Sequence, residues 1–470
     1  MQKFEQLLNF TNDILWSYLI IALLVGCGIW FTFRTRFVQF RMLPEMFRLM
    51  FLHSGKSSVS GTRTSGKPTI SSFQAFIVAL ASRIGTGNLA GVATAISVGG
   101  PGAVFWMWVM ALFGASTAFV ESTLAQLFKR SARDGFIGGP AYYMKFGLKR
   151  PWLGSIFGIL MIVTFSYANN CVQSNTICAA WSKAFGLDGS LLGLLLTLMT
   201  LVIIFGGIQR VAKASMAIVP FMAVGYLLVA IFIVAVNFRE IPGVFVQIFE
   251  SAFGLRQAAG GMLGATIMQG VKRGLFSNEA GEGSAPHAAA TATVSHPVKQ
   301  GLIQALGVFT DTLVVCSCTA FIVLVSGVDI HASNGIQLTQ DALTHEIGTL
   351  GSPFIAVAIF LFAYSSMIAN YYYGESNVRF LTSSPRVLFF FRLTVGVLVM
   401  AGALMTLNLA WAFVDLCMAF LTLCNLIAIV PLFKHVRFLL KDYTTRCRAG
   451  EDPQFSRTQM PELEADLEAW

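Results

Sequence analysis

Small polar residues interrupt an apolar run near the start of the chain. Between residues 71 and 98 this run contains Gly85, Thr86, Gly87 and Asn88. Glycine is unfavourable inside a helix, and short polar side chains compete for the helical backbone hydrogen bonds. Backbone N–H groups that are freed where a half-helix begins bind anionic groups such as a carboxylate. The pattern therefore predicts a broken helix whose break is a binding site.

Two adjacent hydroxyls, Ser365 and Ser366, lie in a later apolar run. Sodium, like other hard cations, binds oxygen ligands such as carbonyls and hydroxyls. If the two hydroxyls face the carbonyls that the first break releases near Ala81 and Ile84, the four residues form a sodium site. The alternative is that both serines hydrogen-bond to the preceding turn of their own helix.

An amino acid bound at the break would also need acceptors for its ammonium group. The side-chain oxygens of Asn88 and Gln173 are candidates, together with backbone carbonyls around Gln269 and Gly270. Met268 and the small residues nearby suit a small side chain. These residues form the predicted substrate pocket.

Ionisable residues within apolar runs are costly and are functional candidates by default. Asp311 and Asp415 are two of them. Either one could take up and release a proton as part of the function, or both could be structural partners of Arg83 or of helix ends. Glu279 could act as a gate by pairing with a basic residue, or it could lie at a solvated helix end.

The composition is that of a membrane protein. The chain has 470 residues, of which 55% are hydrophobic and 12% charged, with a mean hydropathy of +0.69. A soluble protein would carry about twice that charged fraction. Apolar windows of about 20 residues predict eleven transmembrane helices. They cover residues 14–33, 71–98, 103–128, 153–181, 189–208, 214–237, 257–285, 300–327, 352–374, 388–407 and 411–433.

The basic residues predict the orientation of the chain. Of the 32 Lys and Arg residues, 25 lie in segments on one face. By the positive-inside rule that face is cytoplasmic, so the N-terminus is outside and the C-terminus inside. The net charge of +9 is then explained by these loops, without nucleic acid as a partner. Residues 434–470 are the predicted cytoplasmic charged tail, and its part from Lys441 to Trp470 is expected to be mobile.

Eleven helices can be divided into one extra helix and two sets of five. Because five is odd, the sets must have opposite topology, as in an inverted repeat. The predicted division is residues 1–70 for the extra helix and a basic loop, 71–237 for the first repeat, and 257–433 for the second. Each repeat opens with a glycine-interrupted helix, which is typical of a transport site at mid-membrane. Close helix packing is the alternative explanation for the glycines.

Other functional classes find less support. The eight cysteines lack metal-site spacing and are expected to be buried thiols. The sequence contains no HExxH, GxSxG or Walker A motif. Because these catalytic motifs and metal spacings are missing, an enzyme is not expected. A passive channel would need rings of charge or of carbonyl groups, and no such repeat occurs.

Three blocks resemble the alanine or glycine:cation symporter family, the bacterial sodium:alanine symporters. They are Ser82–Gly91, Gly99–Gly114 and Arg273–Gly281. The second block is the most specific, since it combines four glycines and two tryptophans at set spacing. The resemblance extends over nearly the whole chain.

This resemblance implies an all-α polytopic membrane protein with the fold of the bacterial leucine transporter, preceded by one extra helix. It implies uptake of alanine, glycine or serine with co-transported Na⁺ across a bacterial inner membrane, without an organic cofactor. It also implies the same sites as above: Na⁺ at Ala81, Ile84, Ser365 and Ser366, and substrate at the first break, Gln173 and the second break. Coupling to H⁺ is the alternative.

Overall fold

A computed structural model describes residues 2–52, 70–132, 135–254 and 260–470. Much of the predicted basic loop between Arg34 and Lys67 lies outside these residues. The first residues of the predicted span 257–285 also lie outside them.

The described chain is almost entirely helical. The helices of the first half are α1 (Gln2–Arg34), α2 (Val38–Arg41), α3 (Leu43–Leu52), α4 (Ser72–Arg83), α5 (Gly87–Gly99), α6 (Ala103–Leu127), α7 (Pro140–Tyr142, continued by Tyr143–Gly147), α8 (Pro151–Phe185), α9 (Gly189–Ile204), α10 (Gly207–Val236) and α11 (Ile241–Ala252). Those of the second half are α12 (Gly260–Asn278), α13 (Ala285–Thr291), α14 (Pro297–Val325), α15 (Ile336–Ile347), α16 (Gly351–Leu381), α17 (Pro385–Leu404) and α18 (Leu407–Arg448). One short hairpin pairs β1 (Arg130–Ala132) with β2 (Gly135–Ile137).

Each of the eleven predicted spans coincides with a helix or with a bent helix pair. Among the described residues, eight helices are long and apolar enough to cross a membrane, and the bent pair α4–α5 makes a ninth. Helix α9, with 16 residues, is shorter than a typical span, and the glycine-rich α12 is less apolar. The predicted all-helical membrane fold is confirmed.

The extra helix α1 packs against α18 and α6. The Asn12 side chain donates to the Ala412 carbonyl at 2.9 Å, and the Trp16 indole donates to the Asp415 carbonyl at 3.1 Å. Both side chains are buried. Polar groups buried in a membrane must find partners within the protein, so these bonds hold α1 in one position against the last helix.

The first break lies where the sequence predicts it. Helix α4 begins with a capping box between Ser71 and Gln74, which satisfies its first N–H groups. It ends at Arg83, and α5 resumes at Gly87 with a bend of 47° between the two halves. The polar residues at this break are therefore held between two half-helices.

The second break is not where the sequence predicts it. Helix α12 runs without interruption through Gln269 and Gly270. At Gly270 a Cβ atom would lie 2.5 Å from the Ala103 carbonyl, so this glycine serves close helix packing, as in the alternative explanation above. The chain leaves the helix only after Asn278, at residues 279–284, and then enters α13.

The tail also differs from the prediction. Helix α18 continues past residue 433 to Arg448. The following segment, 449–470, folds back onto the protein, where the Phe455 N–H donates to the Ser295 carbonyl at 2.8 Å and Leu467 is fully buried. Apolar residues among the charges supply the contacts, so the expectation of a mobile tail is wrong.

Candidate functional site

The first break redirects three backbone hydrogen bonds. In a continuous helix the Gly85 N–H would donate to the Ala81 carbonyl, but it donates to Asn88 Oδ1 at 2.9 Å. The Asn88 N–H would donate to Ile84, but it donates to the Gly85 carbonyl at 3.2 Å. The Thr86 N–H reaches across to another helix. The carbonyls of Ala81 and Ile84 thus lose their usual helical donors.

Gln173, on α8, closes one side of the break. Its Oε1 accepts from the Thr86 N–H at 3.0 Å and from the Thr86 hydroxyl at 2.6 Å. Its own amide donates to Asn169 Oδ1 at 2.8 Å. Thr86, Asn88 and Gln173 are all buried. In this structure amide oxygens therefore satisfy the N–H groups that were predicted to bind a carboxylate.

The two predicted hydroxyls meet the two predicted carbonyls. Ser366 Oγ lies 2.9 Å from the Ala81 carbonyl and 3.4 Å from the Ile84 carbonyl. Ser365 Oγ lies 3.5 Å from the Ala81 carbonyl. Both hydroxyls also approach the Phe362 carbonyl of their own helix, at 2.9 Å for Ser365 and 3.1 Å for Ser366. The structure brings all four predicted residues together.

Two glycines at the break are required by close approach. A Cβ at Gly85 would lie 2.3 Å from Ser366 Oγ, and one at Gly87 would lie 3.0 Å from the Phe276 ring and 3.1 Å from the Ser277 backbone. Any larger residue would push the hydroxyl or α12 away from the break. The glycines therefore act here by allowing contact, as well as by weakening the helix.

Asp311, on α14, lies directly behind Asn88. Its carboxylate accepts from the Asn88 amide at 2.7 Å, from the Ser277 hydroxyl at 2.6 Å and from the Thr312 hydroxyl at 2.8 Å. The side chain is fully buried and forms no ion pair with a described base. Its expected partner Arg83 instead donates to the Gln304 carbonyl at 3.1 Å.

Asp415 belongs to an ionic layer beside the break. It pairs with Arg273 at 2.7 Å, whose guanidinium stacks on Trp411 at 4.1 Å. The Trp411 ring in turn packs against Phe276 at 4.7 Å, next to Gly87. These contacts favour the structural alternative for Asp415, with Arg273 and, at 3.8 Å, Lys272 as its partners in place of Arg83.

A group of buried glutamates lies on the other side of the break. Glu279 accepts from the hydroxyls of Ser82 and Ser284, each at 2.5 Å, and has a left-handed backbone at φ 56°. These bonds are made in place of the predicted pairing with a basic residue. Glu121, on α6, accepts from the N–H groups of Gly281 and Gly283 at 3.3 and 3.1 Å.

Sequence reasoning missed Glu121 and Ser277. An acid in the middle of the apolar run 103–128 was a usable signal for Glu121. Ser277 lies inside a recognised block but has no distinguishing feature in the sequence.

Three predicted pocket residues are not brought to the break. Met268 contacts Ser17 on α1, with 3.5 Å between its sulfur and the hydroxyl. Gln269 and Gly270 pack against α5 and α6, near Gly99 and Trp106 respectively. Their assignment to the substrate pocket assumed a break at this point, and the continuous helix α12 contradicts that break; a role of these three residues in substrate binding stays a prediction.

Solved structures show which fold this arrangement of helices has. The fold is similar to that of a Na⁺-coupled sialic acid symporter, with a TM-score of 0.51 and 15% identity over 80% of this chain and 82% of that one. It is also similar to MhsT in complex with L-phenylalanine, with a TM-score of 0.52 and 13% identity over 78% and 99% of the two chains. The protein has the leucine-transporter fold.

Sequence relatives define the family. Residues 1–457 match the sodium:alanine symporter family, and the chain belongs to that family. It is 50% identical to a probable sodium/glutamine symporter of Bacillus subtilis, over 97% of this chain and 94% of the relative. It is 38% identical to a sodium/alanine symporter of Methanococcus maripaludis, over 91% and 95%. The protein is a secondary active amino-acid symporter and not an enzyme.

Proposed function

We propose that the protein imports alanine, and also glycine or serine, together with Na⁺. The observation that carries this proposal is the meeting of two serine hydroxyls with two released carbonyls beside a polar, buried break. The proposed sodium ligands are Ala81, Ile84, Ser365 and Ser366, and the proposed substrate residues are Gly85, Thr86, Gly87, Asn88 and Gln173.

Hydrogen counting supports a cation at the four oxygens. The Ser366 hydroxyl has one hydrogen, yet three carbonyl oxygens lie within 3.5 Å of it. If that hydrogen is donated to Phe362, the hydroxyl lone pairs face the carbonyls of Ala81 and Ile84. Opposed, buried oxygen dipoles repel one another, and a sodium ion between them would turn that repulsion into coordination.

The adjacent break supports an amino acid as the co-substrate. The Thr86 N–H and hydroxyl, which now bind Gln173, are donors that an α-carboxylate can accept from when the glutamine side chain turns away. The freed amide oxygen of Gln173 is then an acceptor for the ammonium group. The close packing of Phe276 beside Gly87 favours a substrate with a small side chain.

Sodium and substrate would act on the same two half-helices. The carbonyl of Ile84 and the N–H of Thr86 are two residues apart, so each ligand stabilises the backbone geometry that the other requires. By linkage each ligand then tightens the binding of the other. Joint binding would shift the equilibrium between outward-facing and inward-facing states, with the two five-helix sets, 71–237 and 257–433, moving against each other.

The membrane setting is part of the proposal. Under the positive-inside rule the basic segments face the cytoplasm, which places the N-terminus outside a bacterial inner membrane. Labelling of single cysteines introduced at Arg150 and Asp188 with a membrane-impermeant reagent in intact cells tests this. Labelling at residue 188 alone is expected, and labelling at residue 150 alone would reverse the orientation.

The central experiment is uptake of labelled alanine into proteoliposomes. An inward Na⁺ gradient is expected to drive accumulation above the external concentration, and replacement of Na⁺ by choline should abolish it. Uptake that ignores the Na⁺ gradient, or that never exceeds equilibrium, would overturn the proposal. Unlabelled glycine, serine and glutamine as competitors would rank the substrates, since one relative is named for glutamine.

The position of Asp311 favours a second candidate function, in which amino-acid transport is coupled to protons. It is a buried carboxylate without a described basic partner, and it touches Asn88 in the proposed substrate site. If it carries the coupling proton, Asp311→Asn will transport alanine without pH dependence. If sodium is the only coupling ion, the variant will keep the pH profile of the wild type and change only affinity or rate.

A further inference from the structure

A groove of about 490 Å³ lies where the end of α1 meets α18. Its apolar wall includes Trp30, whose ring lies 5.0 Å from that of Phe433, and Phe438. Trp30 and Phe438 are 38% and 44% exposed. These aromatic surfaces open outwards and not toward the transport site.

The polar side of the same groove is entirely cationic. Its charged residues are Arg34, Lys434, Arg437 and Lys441. All four are exposed, and the three on α18 are spaced by three and four residues, which places them on one side of that helix. Within the described part of the chain none of the four forms an ion pair, and the nearby Asp442 is paired with an arginine one turn further on. We call this site the basic groove.

The positive charge continues beyond the groove. The pKa of Arg41 is lowered by burial and, to a smaller extent, by the charges of Arg448 and Arg36. Several cations thus lie close together at this end of the protein. Such a field attracts anions and raises their local concentration.

The groove lies at the level of the membrane boundary. Helix α18 has 42 residues and is therefore about 63 Å long at 1.5 Å per residue, about twice the thickness of a bilayer core of roughly 30 Å. Its second half must project from the membrane, and Lys434 is the first charge after its apolar part. Helix α1 becomes charged at Arg34, and the two points meet in the groove.

We propose that the basic groove binds one anionic phospholipid. The cations contact the phosphate, and the exposed rings of Trp30 and Phe438 cover the upper part of an acyl chain. Basic pockets between transmembrane helices at the cytoplasmic boundary bind such headgroups, and aromatic side chains are favoured at this depth. Because α1 and α18 each supply part of the site, the bound lipid links the extra first helix to the last one.

Native mass spectrometry of the full-length protein in detergent tests the proposal. The purified protein is titrated with phosphatidylglycerol or with phosphatidylcholine of the same chains. One phosphatidylglycerol molecule is expected to remain bound, while phosphatidylcholine is lost under the same conditions. Equal retention of the two lipids would overturn the proposal, since it would show that charge is not recognised.

A matched pair of triple variants separates the groove from general charge. R34Q/K434Q/R437Q removes three groove cations, and R150Q/K213Q/R386Q removes three exposed cations elsewhere. The groove variant should bind phosphatidylglycerol about 100-fold more weakly, because each cation contributes about 1 kcal/mol near an anionic headgroup and 1.4 kcal/mol is a factor of ten. The control should stay within twofold of the wild type, and equal weakening of both would refute the site.

Two further measurements complete the design. The single variant R437Q, which perturbs folding less, should weaken binding about fivefold, and unchanged binding there and in the triple variant would refute the site. Glycerol 3-phosphate at millimolar concentration should not displace the lipid. Displacement at concentrations similar to those of the lipid would mean that the groove binds a soluble phosphate, and would overturn the lipid as ligand.

Discussion

Replacement of Ser366 by alanine tests the proposed sodium site most directly. It removes a side-chain oxygen that lies 2.9 and 3.4 Å from the two released carbonyls. A polar contact to a charged group contributes about 1.5–3 kcal/mol, which corresponds to a roughly 10- to 150-fold change in an equilibrium constant. The sodium concentration for half-maximal alanine uptake should rise by about that factor, while the maximal rate changes less. Ser365→Ala should have a smaller effect, because that hydroxyl lies 3.5 Å from a single released carbonyl.

The assay is alanine uptake into proteoliposomes with sodium replaced stepwise by choline. Ser376→Ala is the matched control, since Ser376 is a buried serine of the same helix and its hydroxyl has no hydrogen-bond partner among the described residues. It should leave the sodium dependence unchanged. Thermal stabilisation of the detergent-solubilised protein by Na⁺ gives a second readout that does not require transport.

Two results would refute this reasoning. One is a sodium dependence in Ser366→Ala within twofold of the wild type, both in uptake and in thermal stabilisation. The other is an equal shift in Ser376→Ala, which would show that loss of any buried hydroxyl on α16 has this effect.

Three further substitutions address the break and the tail. Gly85→Ala should reduce sodium-dependent uptake at least tenfold, because the added methyl would lie 2.3 Å from the Ser366 hydroxyl of the proposed sodium site. Gly91→Ala, where the nearest atoms are 3.8 Å away, should retain uptake. Full activity in Gly85→Ala would contradict the close contact. Asn88→Ala should weaken alanine binding by about tenfold as it loses one buried polar contact, measured by competition at saturating Na⁺, and a wild-type affinity would remove Asn88 from the substrate site. Leu467→Ala should destabilise the folded protein by about 2–5 kcal/mol and lower its midpoint of thermal unfolding. Glu462→Ala, at an exposed position, should leave the midpoint unchanged. Equal midpoints in the two variants would mean that the tail does not stabilise the fold.

Several features of the transport site could be predicted without coordinates because they depend on local chemistry. An Arg, Gly, Thr, Gly and Asn cluster in an apolar run cannot form an ordinary membrane helix, and the break at Gly85 follows. The adjacent hydroxyls of Ser365 and Ser366 lie in an apolar run, where they can bind a released carbonyl or an ion, or hydrogen-bond to the preceding turn of their own helix. The structure shows contacts with the released Ala81 carbonyl and with the Phe362 carbonyl of the same helix. In each case the residue types restrict what the backbone or an ion can do nearby.

The second break shows where such reasoning fails. A glycine weakens a helix and also allows close packing, and the sequence cannot distinguish these effects. At Gly270 the neighbouring α6 approaches so closely that the glycine maintains the helix contact. The true break at 279–284 contains fewer apolar residues and resembles an ordinary helix end. Only the contacts with Glu121, which lies on a different helix, show that the N–H groups of this break, those of Gly281 and Gly283, are satisfied inside the protein.

By itself, the amino-acid sequence determined that this is an all-helical membrane protein, that its first core helix is broken near Gly85, and which residue types could bind sodium there. These properties follow from hydrophobicity and backbone chemistry, which act over a few residues. The tertiary structure alone decided the partners: Asp311 for Asn88, Arg273 for Asp415, and the body of the protein for the tail. Such pairs are far apart in sequence, and packing selects among many polar groups that are chemically equivalent.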